Sequence, residues 1–171
     1  MERINRFYGT NWESINHKFV IDETLPQFNI IITCVDNIQI RKDIQKSKFS
    51  KTQNSNPYYR CYYWLDFGNG DNYGQVILGT MNHINQPTKS EKSVEILPTV
   101  IEKFTENELK QNNDEPSCST LEALNRQELL VNSSLAEFGM NILWKLFRTY
   151  KISQSGLYMN LNTMTVNPIK I

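Results

Sequence analysis

The chain has 171 residues, enough for one domain with its own core, and its 39% hydrophobic and 21% charged content is ordinary for a globular protein. Eighteen Lys and Arg balance eighteen Asp and Glu, so no overall field recruits nucleic acid or an anionic membrane. No apolar run approaches the ~20 residues that cross a bilayer, and the N-terminal MERINRFYG lacks the apolar centre of a signal peptide. The expected setting is therefore cytoplasmic, with no nucleic acid and no membrane as partner. Cys34, Cys61 and Cys118 lie far apart and never form CxxC, which argues against a disulfide framework and against a zinc site.

In chain order, residues 11–12 and 17–21 (HKFVI) predict an edge region with a short strand. Residues 29–35 (NIIITCV) form an unalternating β-branched run and predict a central strand of a partly parallel sheet, covered on both faces. Residues 38–50 predict a helix. Residues 58–67 (YYRCYYWLDF) and 75–81 (QVILGTM) flank turn signals at 68–74 and predict a β-hairpin. From residue 82 the composition turns polar and proline-punctuated, which predicts a long crossover loop over 82–117 with one short helix near 99–109. Residues 119–150 carry leucine, phenylalanine and tryptophan at nearly every helical angle, with Gly139 as the weak point. They predict a long helix buried in the core or against a second subunit. The closing GLYMNLNTMTVNPIKI alternates apolar and polar residues and turns at Asn162-Thr163, which predicts a terminal hairpin. The organisation is one α/β domain over 1–171, divided into an α/β portion (1–81), the crossover loop (82–117) and the C-terminal helix with its hairpin (118–171).

The chemistry-bearing residues cluster where the apolar run stops, at Asp36 and Asn37. In an open α/β sheet, ligands sit at the carboxyl ends of strands, where helix N-termini present free N–H groups. A carboxylate there repels a phosphate directly, so its useful chemistry is to bind a Mg²⁺ that bridges phosphates. Asn37 can donate or accept toward a nucleotide, and Arg41, one turn on, can neutralise developing charge or pair with Asp36. The other reading is that Asp36 simply caps the helix starting near Ile38. His17 and His83 have no second ligand at metal spacing, so solvated or capping roles are expected of them. The sequon Asn132-Ser133-Ser134 falls inside the predicted helix and is not read as a glycosylation site.

The string CVDNIQIR resembles the C-[TV]-D-N-x-x-x-R segment of the ThiF/MoeB superfamily, the ubiquitin-activating-type adenylyltransferases. YYWLDFGNGDNYGQVILG, LPTV, DEPSCSTLEALNRQELLVNSSLAEFGMNILWKLF and GLYMNLNTMTVNPI follow in the same order as in the PRTRC-system ThiF family, so the resemblance runs from about Glu2 to the end. It implies a Rossmann-like (ThiF/MoeB-type) domain that uses ATP with Mg²⁺ to adenylate the C-terminal glycine of a small ubiquitin-like (β-grasp) protein, and that forms a homodimer. It also implies that Asp36 is essential for adenylation and lies on the metal, and that Asn37 contacts the nucleotide. Arg41 completes the cofactor-side set, mainly by supporting the helix. Cys118 aligns with the cysteine that attacks the acyl-adenylate in some members, a role that needs a lowered thiol pKa such as a helix N-terminus supplies. The alternative for Cys118 is a small buried residue at a helix start.

The departures from that family are equally specific. Its domain opens with a strand and a G-x-G-G-x-G turn, followed by an acidic residue for the ribose and an Arg and a Lys for the triphosphate. The seven glycines here form no such cluster, and Gly68-Asn69-Gly70 lie in the predicted hairpin turn. The CxxC zinc pairs of many members are likewise missing. The expectation is the C-terminal part of a ThiF-like domain without its glycine-rich nucleotide-binding half. That leaves two functions in view: an adenylyltransferase fragment with little activity of its own, or a dimerising or ubiquitin-like-protein-binding module without ATP chemistry.

Overall fold

The β-branched residues after Asn29 suit a pleated strand and form one, β1 (Ile30–Thr33), paired in parallel with β2 (Tyr63–Asn69). The structure, a computed structural model, describes residues 1–16, 28–47, 60–85, 93–104 and 128–171. Parallel neighbours need a crossover, and α2 (Ile38–Lys46) lies in the one between them. β2 turns back at Gly70, Asp71 and Asn72 into β3 (Tyr73–Thr80), and β4 (Gln154–Asn160) and β5 (Thr165–Lys170) continue antiparallel. The strand order is β1-β2-β3-β4-β5. Helices α1 (Glu2–Tyr8), α3 (Val100–Lys103) and α4 (Val131–Thr149) complete the described elements.

Because neighbouring strand residues point to opposite faces, the continuous apolar runs of β2 and β3 feed two cores. On one face Ile31, Trp64 and Ile77 pack with Ile44 of α2, Val100 of α3 and Ile169 of β5. On the other, Leu65, Val76, Leu78, Leu157 and Met159 receive Val131, Leu135, Ile142 and Leu143 of α4. The apolar positions of α4 recur every three or four residues, and Gly139 belongs to that seated face. A Cβ at Gly139 would collide with the Phe67 ring and come within 3.0 Å of Val76 Cγ1, so glycine permits the closest approach of helix to sheet. α3 starts at a capping box, with Thr99 and Glu102 each satisfying the other's backbone N–H.

The sheet is mixed α/β as expected, with both hairpins in place, but the expectation for the first strand is corrected. The strand at residues 29–35 was expected to be central and doubly covered. Among the described residues β1 stands at the sheet edge, and Ile32 is 49% exposed because α4 lies over β2, β3 and β4 and stops short of it. The long helix is expected in the core or against a second subunit, and one stripe of it lies in the core. One sheet face covers only one stripe of a helix, so Phe138, Met140, Trp144 and Phe147 lie outward. The first residues form helix α1, which composition did not announce. The strand expected at 17–21 and much of the loop over 82–117 fall outside the described residues, as do residues 119–127 of the predicted helix. No described helix is long and apolar enough to cross a membrane.

Replacing Gly139 with Ala should lower stability by about 1–3 kcal/mol through overpacking, outweighing the ~1 kcal/mol that alanine adds to helix propensity. Urea unfolding of the two proteins measures the difference, and stabilisation would show that α4 does not seat here.

Candidate functional site

After Thr33 the chain leaves the sheet through Cys34, Val35 and Asp36 and enters α2. Asn37 is the N-cap, its side-chain oxygen accepting the Gln39 backbone N–H at 2.7 Å. The capping role considered for Asp36 therefore belongs to its neighbour. Asp36 is exposed at the carboxyl end of β1, on the wall of a cleft of about 510 Å³. The end of β1 contributes Ile32 and Cys34, α2 contributes Arg41, the hairpin contributes Gly68, Asn69 and Gln75, and α4 contributes Asn132, Leu135 and Met140. Asn132 thus opens onto the cleft from the first turn of α4 instead of lying in the core.

Beneath the cleft lies a buried polar network. Thr33 and Asp66 are register partners on β1 and β2, and Thr33 Oγ1 donates to Asp66 Oδ1 at 2.5 Å. Trp64 Nε1 donates to Thr33 Oγ1 at 2.8 Å. Arg41 reaches down from α2, its Nε 3.0 Å from both Asp66 oxygens, while its Nη2 donates to the Phe67 carbonyl at 3.0 Å. The pairing of Arg41 with Asp36 considered from sequence does not form; Asp66, directly under the helix, is the partner. Burial pushes the Asp66 carboxyl up, against the charge of Arg41 and the hydrogen bonds from Thr33 and Arg41.

Both described thiols are held protonated. Burial first and Asp66 second push Cys34 up, with Arg41 opposing. Burial pushes Cys61 up from 9.0 to about 11 despite hydrogen bonds to the backbone at Ile31 and Tyr63. Neither is an activated nucleophile, since the thiolate is the reactive form. Cys118, the nucleophile candidate, and His17 lie outside the described residues. His83 is exposed, its Nε2 2.8 Å from Glu95 Oε2. Among the described residues no group of three or more His, Cys, Asp and Glu is placed to hold a metal.

A nucleotide with its metal can be tested against these residues. Asp36 suits a single carboxylate ligand to a Mg²⁺ that keeps its other contacts to water and phosphate. Among the described residues the cleft lining contains no lysine and no glycine-rich strand-to-helix turn, so of these Arg41 alone would meet the charge of a triphosphate. The described residues fit the metal side of such a site and not its phosphate side.

Sequence reasoning passed over Asp66, Gln75 and Gly68. Asp66 did carry a signal: a carboxylate inside the aromatic run YYWLDF demands a buried cation, and Arg41 is the cation in reach. Compared with family models and with curated proteins, the chain matches none.

Replacing Asp66 with Ala leaves Arg41 buried without its counter-charge and should cost about 3–5 kcal/mol in urea unfolding. An Asp66→Leu, Arg41→Met double variant should recover much of that loss. For Cys61 the folded value lies above the ordinary 9.0, so its contribution to stability is complete below that pH and is lost as pH rises through about 11. Unfolding free energy followed over that window should fall less in Cys61→Ala than in the parent.

Proposed function

We propose that the cleft is the metal-facing side of an acyl-activating site of the ThiF type, within a partial Rossmann-like fold, and that Asp36 is its essential residue. The position of Asp36 carries the reading: it stands at the carboxyl end of a parallel strand, directly before a capped helix N-terminus, on the wall of a cleft. The β1-α2-β2 unit that creates this place supports it further. Bound Mg-ATP would supply an adenylyl group for the C-terminal carboxylate of a ubiquitin-like protein. In this chain Asp36 would orient the metal side, and Asn37, whose Oδ1 is committed to the cap, would offer Nδ2. Arg41, fixed by Asp66, would present positive charge from beneath. The reading takes the protein to be cytoplasmic.

A second reading, a dimerising or ubiquitin-like-protein-binding module without ATP chemistry, is favoured by the outer face of α4. Phe138, Met140, Trp144 and Phe147 are there 38%, 52%, 60% and 54% exposed, an apolar stripe suited to a second copy of the chain.

The two readings separate by experiment. Two or three charge-assisted hydrogen bonds of about 1.5–3 kcal/mol each do little more than offset an association cost of about 4–15 kcal/mol, so calorimetry should find Mg-ATP bound no tighter than millimolar. Pyrophosphate exchange by the chain alone should be undetectable. In an NMR titration the Mg²⁺-dependent part of that weak binding should drop about tenfold or more in Asp36→Ala, a loss equivalent to one charge-assisted contact. Cleft perturbations indifferent to both Mg²⁺ and Asp36 would defeat the first reading. Sedimentation at micromolar concentration should show a dimer that Trp144→Glu converts to a folded monomer; a monomeric parent would defeat the second.

A further inference from the structure

We infer that the cleft carries a receptor for a small oxyanion, a carboxylate or phosphoryl group, formed by Arg41 Nη1 and the Gln75 side-chain amide on either side of Gly68. Of the three guanidinium nitrogens, Nε is committed to Asp66 and Nη2 to the Phe67 carbonyl, and Nη1 makes no hydrogen bond among the described residues. Gln75 is only 7% exposed, yet its amide likewise makes none among them. No described side-chain nitrogen or oxygen is both fully enclosed and unpaired, so these groups must open toward solvent, and both line the same cleft. Nearly buried yet open to solvent, they keep donors that a ligand oxygen can take in place of water.

The receptor follows from strand register. Gly68 and Gln75 are cross-strand partners on β2 and β3. A Cβ at Gly68 would lie 2.6 Å from Gln75 Nε2 and 3.4 Å from Arg41 Nη2, so the missing side chain lets amide and guanidinium approach each other. Asp66 and the Phe67 carbonyl fix the guanidinium plane before any ligand arrives, which leaves the Nη1 edge pre-aimed. The free donors of Nη1 and Nε2 are complementary to oxygen lone pairs of an anion. Asp36 on the same wall repels accumulated negative charge, so a monoanion is preferred to a polyanion without metal. The receptor stands whether or not the cleft performs acyl activation.

The test is an NMR titration of the whole protein with two probes, inorganic phosphate and N-acetylglycine. Saturable, weak binding at the amides of Gly68 and Gln75 is expected for at least one, and the probe that binds more tightly identifies the phosphoryl or the carboxylate source. Gln75→Glu keeps the side-chain shape while replacing donor with acceptor, and should weaken binding about tenfold or more. Gln75→Met removes the donor without adding charge, and should weaken it as well if the Glu variant misfolds. Asp36→Ala should leave oxyanion binding intact or tighter. That separates the proposals, because loss of Mg-ATP binding in Asp36→Ala with oxyanion binding retained touches only the acyl-activating reading. No saturable binding of either probe, or equal binding by the folded Gln75 variants, would overturn the receptor.

Discussion

The ion pair between Arg41 and Asp66 is the constraint on which the cleft end of the molecule depends. Asp66 is 1% exposed and Arg41 6%, so both charges have left water, at a desolvation cost of several kcal/mol per ion. That cost is tolerable only because the geometry is complete. One carboxylate oxygen accepts from Thr33 as well as Arg41, the other from Arg41, and a backbone carbonyl takes a further guanidinium hydrogen. Through these bonds β1, β2 and α2 are locked to one another where the strands end. An apolar pair would hold the elements together as well; it would leave no oriented guanidinium under the cleft.

Several features of the site follow from this lock. With Arg41 bound downward to Asp66, Asp36 is released from pairing and stays on the surface. With Asn37 supplying the cap, Asp36 is not needed for the helix either. The opposite wall depends on α4 lying close to the sheet, where Gly139 meets the Phe67 ring one residue from Asp66. The cleft is therefore defined from both sides by side chains of adjacent β2 residues: Asp66 sets α2 and Phe67 sets α4.

The legible parts of this arrangement were those encoded by local pattern. The β-branched run, the aromatic strand with its return through QVILGTM, and the alternating C-terminal hairpin each carry their own period, and each formed as expected. Position within the sheet was not legible, because a short apolar run looks the same in a central strand and in an edge strand whose outer face lacks a helix. The outer face of α4 is legible as apolar but not in its partner: tryptophan and phenylalanine on a helix report apolarity, not what covers them. At the site, Asp36 and Arg41 stood out through their spacing after a strand. Gln75 did not, because one amide between a polar turn and an apolar run gives no hint of Gly68 across the ladder, and the meaning of either residue exists only in register.

The charge balance of the cleft limits what it can accept. Among the described residues Arg41 is the one lining residue with a positive charge and Asp36 the one with a negative charge, and the remaining polar groups are the Cys34 thiol and amides. A triphosphate entering without metal would set several negative charges against one guanidinium already paired with Asp66. The surrounding protein screens less than water, so the Asp36 carboxylate would oppose it at short range. A monoanion meets the opposite situation, since it takes the unpaired guanidinium edge and the Gln75 amide while keeping clear of Asp36. A polyphosphate becomes compatible only when a divalent cation turns Asp36 from an obstacle into a ligand. The same two charges thus favour a terminal carboxylate or a single phosphoryl group when the cleft acts alone, and under the proposed reading nucleotide binding would depend on metal.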